Sequence, residues 1–244
     1  FCGYGVTEAE ADIIGLLSDG ARCTSLAEGE DGVVLLQETP FYAESGGQQG
    51  DQGILRTGDG EFEVWDTQRP AEGLILHIGK VVQGSIQASA TAAAIVHPDR
   101  RKRMERHHSA THLLNGALRE LVSAQVSQKG SLVAPDRLRF DFNHYEQIPW
   151  ATLEQIERRV NEWILQNDPV EVYSMALKDV PGSGIIAVFD EKYGDEVRVV
   201  DIGGYSKELC GGTHVGATGE IGLLRPSASI GARGTIGACG GLMP

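Results

Sequence analysis

Two short stretches of this sequence hold side chains that can do chemistry together. His108-Ser-Ala-Thr-His112 sets two imidazoles four residues apart, and on a helix that spacing places both on one face, about one turn from each other. Much later, Cys210-Gly-Gly-Thr-His214 offers a thiol and a third imidazole at the same spacing, in a glycine-rich run that can fold round an ion without helical geometry. The combined donors, N, N, S and N, are soft to borderline and suit tetrahedral Zn²⁺ better than Mg²⁺ or Ca²⁺. Either half alone has a plainer reading as packing; together in one chain they point to a metal. Four protein ligands would close a structural site, whereas three and a water would leave an open, catalytic one, and the spacing leaves both in play. Ser109 stands where H-E-x-x-H peptidases carry their general-base Glu, which disfavours amide hydrolysis and favours an activated ester. His107 lies about 100° further round the helix, facing solvent or a phosphate. His77, His97 and His144 have no companion at ligand spacing.

Three further segments bear on the site. The loop from Phe41 to Gly53, FYAESGGQQGDQG, combines backbone freedom at Gly46, Gly47, Gly50 and Gly53 with polar groups at Glu44, Ser45, Gln48 and Asp51; it reads either as tight turns or as the wall of a small polar pocket. The run Arg100-Arg-Lys-Arg-Met-Glu-Arg106 has five basic residues against one acidic. Charge runs are usually solvated helix faces, but beside the first histidine pair this one reads as a phosphate track for a nucleic-acid backbone. Ser127-Gln128-Lys129-Gly130-Ser131 is a second small polar cluster.

The elements that must position these groups follow from periodicity. Thr7-Glu8-Ala9-Glu10 before Ile13, Ile14, Leu16 and Leu17 has a capping-box pattern and predicts a short helix. Strand-like runs at 33–36, 53–56, 62–65, 74–78 and 84–90, separated by Gly, Asp and Glu turns, predict a small antiparallel sheet or barrel. From Pro98 to about Val122 the period is helical, and Pro149 to Gln166 is a second helix with Leu153, Ile156, Val160, Ile164 and Leu165 on one face. Between them 132–134 and 138–142 predict a hairpin, and strands at 170–177, 185–189, 197–202 and 221–224 close the chain. The texture changes near residue 90.

Composition bounds the possibilities. The 244 residues, 41% apolar and 23% charged, describe a globular protein with one large or two small domains. A net charge of −13 argues against generic nucleic-acid coating. The charge is uneven, however: residues 1–90 hold four basic against fifteen acidic side chains, whereas residues 91–244 hold 17 against 19. Four scattered cysteines without C-x-x-C favour a reducing, cytoplasmic setting over a disulfide framework. No signal peptide appears, and no apolar run approaches the ~20 residues that span a bilayer.

The motifs H-S-A-T-H-L-L, S-Q-K-G-S-L-V, L-R-F-D-F-N-H, F-Y-A-E-S-G-G-Q-Q-G-D-Q-G and S-K-E-L-C-G-G-T-H-V together resemble the editing domain of alanyl-tRNA synthetases and its freestanding AlaX-type relatives, over nearly the whole chain. The resemblance implies an α+β protein: a small Gly-rich β-barrel subdomain, residues 1–90, then a zinc-binding α/β editing subdomain of the threonyl/alanyl-tRNA synthetase type, residues 91–244. It also implies a zinc-dependent hydrolase that removes serine or glycine wrongly attached to tRNA(Ala). The Zn²⁺ ligands would be His108, His112, Cys210 and His214. Gln128 and Glu44 would be the catalytic groups that orient the substrate. Ser45, Gly46, Gly47, Gln48, Thr111 and Thr213 would line the amino-acid pocket, and Arg100, Arg101, Lys102, Arg103 and Arg106 would meet the tRNA. Phe1-Cys-Gly-Tyr4 resembles the junction after the aminoacylation half of a synthetase, so an aminoacylation domain in cis is expected. The rival readings are a freestanding trans-editing protein, a non-catalytic zinc-stapled tRNA-binding module and a hydrolase of small esters. The stretch from Ser229 to Ala238 has one Arg and extra glycines where the family carries a more basic strand. The expectation there is an irregular last strand, normal zinc binding and weakened editing.

Overall fold

A computed structural model describes residues 1–187, 194–227 and 235–240. The chain divides into two compact units, one comprising Phe1–Ser45 with Gln49–Arg101 and the other Gly46–Gln48 with the chain from Lys102 onward.

The first unit is built from β1 (Glu8–Ser18), β2 (Ala21–Cys23), β3 (Ser25–Ala27), β4 (Asp31–Leu36), β5 (Gly53–Arg56), β6 (Gly60–Ala71), β7 (Leu74–Gln87) and β8 (Thr91–Val96). Six of these run in the order β1-β4-β7-β6-β5-β8, and β8 returns to pair with β1 through Glu8↔Ile95 to Asp12↔Thr91, so the sheet closes into a barrel that leaves no long free edge. Side chains alternate along each strand, which sends Ala11, Ile13, Leu55, Phe62, Val64, Val81 and Ile86 into one core. The helix expected at the start of the chain is not there: those residues are the strand β1. Ile13 is buried while Ile14 is 64% exposed, a period of two, and pairing to both β4 and β8 outweighs a local capping signal. The sequence-drawn division near residue 90 falls just before β8, the strand that closes the barrel.

Arg101, expected to meet tRNA, is instead a core residue of this unit, 1% exposed. Its Nε donates to Asp51 Oδ1 and Oδ2 at 3.2 and 3.0 Å, Nη1 to Gly3 O at 2.6 Å and Nη2 to Pro40 O at 2.7 Å and to Asp51 Oδ2. Four of its five N–H groups are thus spent and the side chain is buried, which leaves it out of reach of a phosphate.

The second unit contains α1 (Pro98–Leu121) from Lys102 onward, β9 (Gln128–Val133), β10 (Leu138–Phe142), α2 (Trp150–Gln166), β11 (Val170–Ala176), β12 (Glu196–Ile202), β13 (Ser206–Leu209), β14 (Leu224–Ser227) and β15 (Thr235–Gly240). Two sheets form, ordered β14-β15-β10-β9 and β11-β12-β13. Ala110, Leu113, Leu114, Ala117 and Leu118 of α1 share a core with Ile156, Val160 and Trp163 of α2, Phe140 and Phe142 of β10, and Val200 and Ile202 of β12. The opposite face of β12 buries Val197 and Val199 with Leu209 and Val180. Both helices and the hairpin fall where periodicity places them, but Leu165, expected on the apolar face of the second helix, is 84% exposed, and Trp163 is buried there instead. The last strand is regular where described, with β15 pairing to β14 and β10; residues 229–234 of the atypical stretch lie outside the described residues. Of the strand expected at 185–189, Ile186 makes an isolated bridge to Glu208, and residues 188 and 189 lie outside the described residues. The stretch expected as a strand at 221–224 is split: a 3-10 turn ends at Ile221 and β14 starts at Leu224.

His77 gives the barrel a pH dependence. It is fully buried; Nδ1 donates to Val34 O at 3.0 Å, while Nε2 receives the hydroxyl of Thr39 at 2.7 Å, whose oxygen also accepts from Phe41 N. Burial holds the ring's pKa down at about 4, against the Val34 carbonyl that favours the cation. The unfolded chain, with a pKa near 6.5, therefore binds the proton first. The ring's contribution is complete above pH 6.5 and is lost as pH falls from 6.5 to 4. Urea unfolding at pH 7 and pH 4.5 is expected to show wild type losing roughly 2 kcal/mol more than His77→Gln; equal losses would rule out this role.

Candidate metal centre

Helix α1 sets the first half of the site. Its i, i+4 pair His108 and His112 stacks with ring centroids 5.3 Å apart and planes 17° from parallel. The loop after β13 brings the second half, and the His214 ring lies 4.5 Å from that of His108 and 5.0 Å from that of His112. Cys210 Sγ is 3.4 Å from His108 Nε2 and 3.3 Å from His214 Nε2. One donor atom from each of the four residues lies within 4.8 Å of all the others.

These residues fit a zinc ion. Zinc–sulfur and zinc–nitrogen bonds of about 2.3 and 2.0 Å place ligand atoms roughly 3.3–3.6 Å apart on a tetrahedron, close to the Sγ–Nε2 separations here. His112 Nε2 is buried and has no hydrogen-bond partner, an expensive state for a polar atom unless something else satisfies it. Its Nδ1 lies 3.1 Å from Glu208 Oε2, but too poorly aligned to count as a hydrogen bond, so the contact is one of charge.

The electrostatics are those of a crowded cation site. Burial, and then the neighbouring His108, push the His214 pKa down to about 3. For His112 burial again opposes the charge, but Glu208 and Cys210 outweigh it and raise the pKa to about 10. Burial likewise opposes a Cys210 thiolate, yet His108 and His214 hold the thiol well below its ordinary range.

Around the four lies a shell that the sequence only partly disclosed. His108 Nδ1 donates to Gln48 Oε1 at 2.7 Å; Gln48 also accepts from Thr213 N at 3.1 Å and donates through Nε2 to Thr213 Oγ1 at 2.9 Å. Ser109 Oγ lies 3.1 Å from His214 Nδ1 and accepts from Val215 N at 3.2 Å. Glu208 Oε1 accepts from Asn115 Nδ2 at 2.8 Å and Ser206 Oγ at 2.7 Å. Arg198 Nη1 ties down the ligand loop through Cys210 O at 2.7 Å and Gly212 O at 2.9 Å. Asn115, Arg198, Ser206 and Glu208 went unread in the sequence, and Ser109 was read only for the general base it replaces. A signal existed: Ser206, Glu208 and Cys210 alternate at the period of a strand, which puts them on one face.

The other expected site residues are distributed as follows. Gln128 of β9 is half-buried and donates to Ser131 Oγ at 3.3 Å; that hydroxyl donates to Gly46 O at 3.3 Å, and Val133 N donates to Gly47 O at 2.8 Å. The Gly46–Gln48 segment is thereby joined to the polar cluster of β9. Gly47, at φ 83°, has room for no side chain: a Cβ would stand 2.2 Å from Ser131 Oγ. Thr111 and Thr213 are buried and braced, the first donating to His107 O at 2.8 Å and the second held by Gln48. Glu44 and Ser45 belong to the barrel unit, where Glu44 is exposed and accepts from Gln68 Nε2 at 3.0 Å, and Ser45 O accepts from Tyr42 Oη at 3.1 Å. Arg100, also in that unit, donates to Gln49 Oε1 at 3.2 Å. Lys102 and Arg103 are exposed and Arg106 is half-buried. His107 does not face solvent: it is 3% exposed and Nδ1 donates to Ala134 O at 2.6 Å.

Comparison with known proteins agrees with this architecture. Residues 1–100 match the family described as class II (A) tRNA synthetases, and residues 197–227 match the second additional domain of threonyl and alanyl tRNA synthetases. The chain is thus part of a class II aminoacyl-tRNA synthetase lineage. It is 50% identical over 234 residues to an alanine–tRNA ligase of Chelativorans sp. (strain BNC1), 48% over 235 residues to one of Rhizobium meliloti (strain 1021), and 50% over 225 residues to one of Shewanella loihica (strain ATCC BAA-1088 / PV-4). Each match covers 92% of this chain and 26% of the ligase, so the chain spans about a quarter of these relatives' length. It is homologous to the editing region of alanyl-tRNA synthetase.

The two glycines of the ligand loop are not equivalent. A Cβ on Gly212 would stand 2.0 Å from His108 Cε1 and 2.3 Å from its Nδ1, whereas one on Gly211 meets nothing within 4 Å. Gly212→Ala is expected to cost about 1–3 kcal/mol through overpacking against the His108 ring, and Gly211→Ala no more than about 0.5 kcal/mol. Urea unfolding of both variants checks this; equal effects would mean that the loop is not packed on His108 in solution.

Proposed function

We propose that this chain is a zinc-dependent editing hydrolase that deacylates Ser-tRNA(Ala) and Gly-tRNA(Ala). The observation that carries the reading is the convergence of three imidazoles and a thiol, from segments far apart in sequence, with a buried His112 Nε2 that has no well-aligned hydrogen-bond partner among the described residues. Homology to the editing region of alanyl-tRNA synthetase supports it. So does the physics of selection. A pocket for alanine cannot reject the smaller glycine by shape, and serine differs by one hydroxyl, so one site discriminates by only about 1–3 kcal/mol per such group. A second, hydrolytic site can hydrogen-bond the serine hydroxyl and pass over alanine for lacking it.

His108, His112, Cys210 and His214 would hold the ion. When bound, zinc supplies a Lewis-acidic point that positions and polarises the aminoacyl ester. The chain's own groups do the rest. Gln128, anchored to Ser131, presents an amide to orient the amino acid. Lys102, Arg103 and Arg106 are the cations left to meet the tRNA backbone. A cytoplasmic setting fits the free thiols of Cys2, Cys23 and Cys210, and no helix among the described residues is long and apolar enough to cross a membrane.

One feature favours a second reading: four protein donors already complete a tetrahedral set, as in a non-catalytic zinc staple. Cys210→Ala separates the two. For an editing enzyme, zinc content falls below one per chain and Ser-tRNA(Ala) deacylation falls by 10²-fold or so, while Ala-tRNA(Ala) is untouched by either protein. Full deacylation by metal-free protein would sink the zinc-dependent reading, and metal-loaded protein without any deacylation would leave the staple.

The basic run has its own test. Lys102→Gln with Arg103→Gln is expected to flatten the slope of log K against log salt for tRNA(Ala) by about 1–2. An unchanged slope would place the tRNA elsewhere.

A further inference from the structure

The ring nitrogens turned away from the metal cluster have acceptors of their own. His108 Nδ1 has Gln48 Oε1 at 2.7 Å and His112 Nδ1 has Glu208 Oε2 at 3.1 Å. Neither acceptor is a ligand, and both are buried, Gln48 at 0% and Glu208 at 5% exposure.

The hydrogen bonds of Gln48 settle its orientation. Thr213 N can only donate, so the atom 3.1 Å from it must be the amide oxygen. That same oxygen faces His108 Nδ1, which must then carry the proton. A neutral imidazole has one N–H and one lone pair; with the N–H spent on Gln48, the lone pair lies on Nε2, the nitrogen beside Cys210 Sγ. Nε2 of Gln48 then donates to Thr213 Oγ1, so a single side chain aligns a ligand on α1 and braces the ligand loop at the residue next to His214. Glu208 is held likewise, Asn115 and Ser206 filling one oxygen and leaving the other for His112.

We propose that Gln48 and Glu208 are positioning residues of the metal centre, Gln48 fixing His108 as the Nδ1–H tautomer with Nε2 presented to the ion and Glu208 holding the His112 ring in place by its charge. The Gly-rich loop that carries Gln48 thus serves the metal, and Gln48 is not one of the groups that contact the amino acid. This inference rests on the zinc reading above.

The test is zinc affinity, measured by competition with a chromophoric chelator, on wild type, Gln48→Leu, Gln48→Glu and Glu208→Gln. The Co²⁺-loaded spectrum serves as a second readout and circular dichroism of the metal-free proteins as a third. Gln48→Leu and Glu208→Gln are expected to bind zinc about 10- to 100-fold more weakly and to shift the thiolate-to-Co²⁺ charge-transfer band, with metal-free folding unchanged. Gln48→Glu, which keeps an acceptor for His108 Nδ1, should recover most of the affinity. Wild-type affinity and spectra in Gln48→Leu would overturn the proposal. If that variant does not fold, Glu208→Gln decides, and unchanged binding there overturns it equally. A wild-type protein that binds no zinc would instead remove the zinc reading itself, and this inference with it.

Discussion

The second unit is organised around the cost of burying polar rings. Three imidazoles and a thiol lie within 4.8 Å of one another, where like charges repel and burial adds to the cost of each. Such a cluster persists only if each outward nitrogen has a partner and the inward atoms share one. The outward nitrogens have Gln48, Ser109 and Glu208. The requirement accounts for much else in the unit. β12 and β13 pair in the register that sets Glu208 beside Val200, on the face of β12 that joins the core of α1, and Arg198 on that face gathers the loop carbonyls.

The barrel unit solves a different problem by different means. Its core is apolar and closed by strand pairing, and two buried ionisable side chains in it are partnered: His77 kept neutral between Val34 and Thr39, Arg101 paired with Asp51 and two carbonyls. The Arg101 arrangement is costly to break, since a buried charge left alone commonly costs about 3–5 kcal/mol. Both features hold the stretch around Thr39 and Pro40, one from each end, which sets where the following Gly-rich loop begins.

What could be read from the sequence was what depends on local spacing. The two long helices, the β9–β10 turn and the four ligands all announce themselves within a few residues, because a helical face or a liganding pair is a short-range pattern. The failures share the opposite character. Glu8 to Ser18 looked helical from its first four residues and became a strand because partners on both sides claimed it. Arg101 sat in a basic run and was read with its neighbours, though one position of a helix face can turn inward to a carboxylate fifty residues earlier. His107 was assigned to solvent on angular grounds and found a carbonyl from the hairpin. Gln48 was visible as a polar residue among glycines, but its partners, His108 and Thr213, are known only once the chain is folded.

The allocation of residues 46–48 has a consequence for how this protein can be divided. These three residues lie between stretches of the barrel in sequence yet belong structurally with the unit that holds the metal cluster. The boundary is therefore not a single cut. A shortened protein that began at Lys102 would keep all four ligands and lose the amide that sets the tautomer of one of them. Any free-standing version of the second unit would need a substitute acceptor for His108 from elsewhere in its own chain.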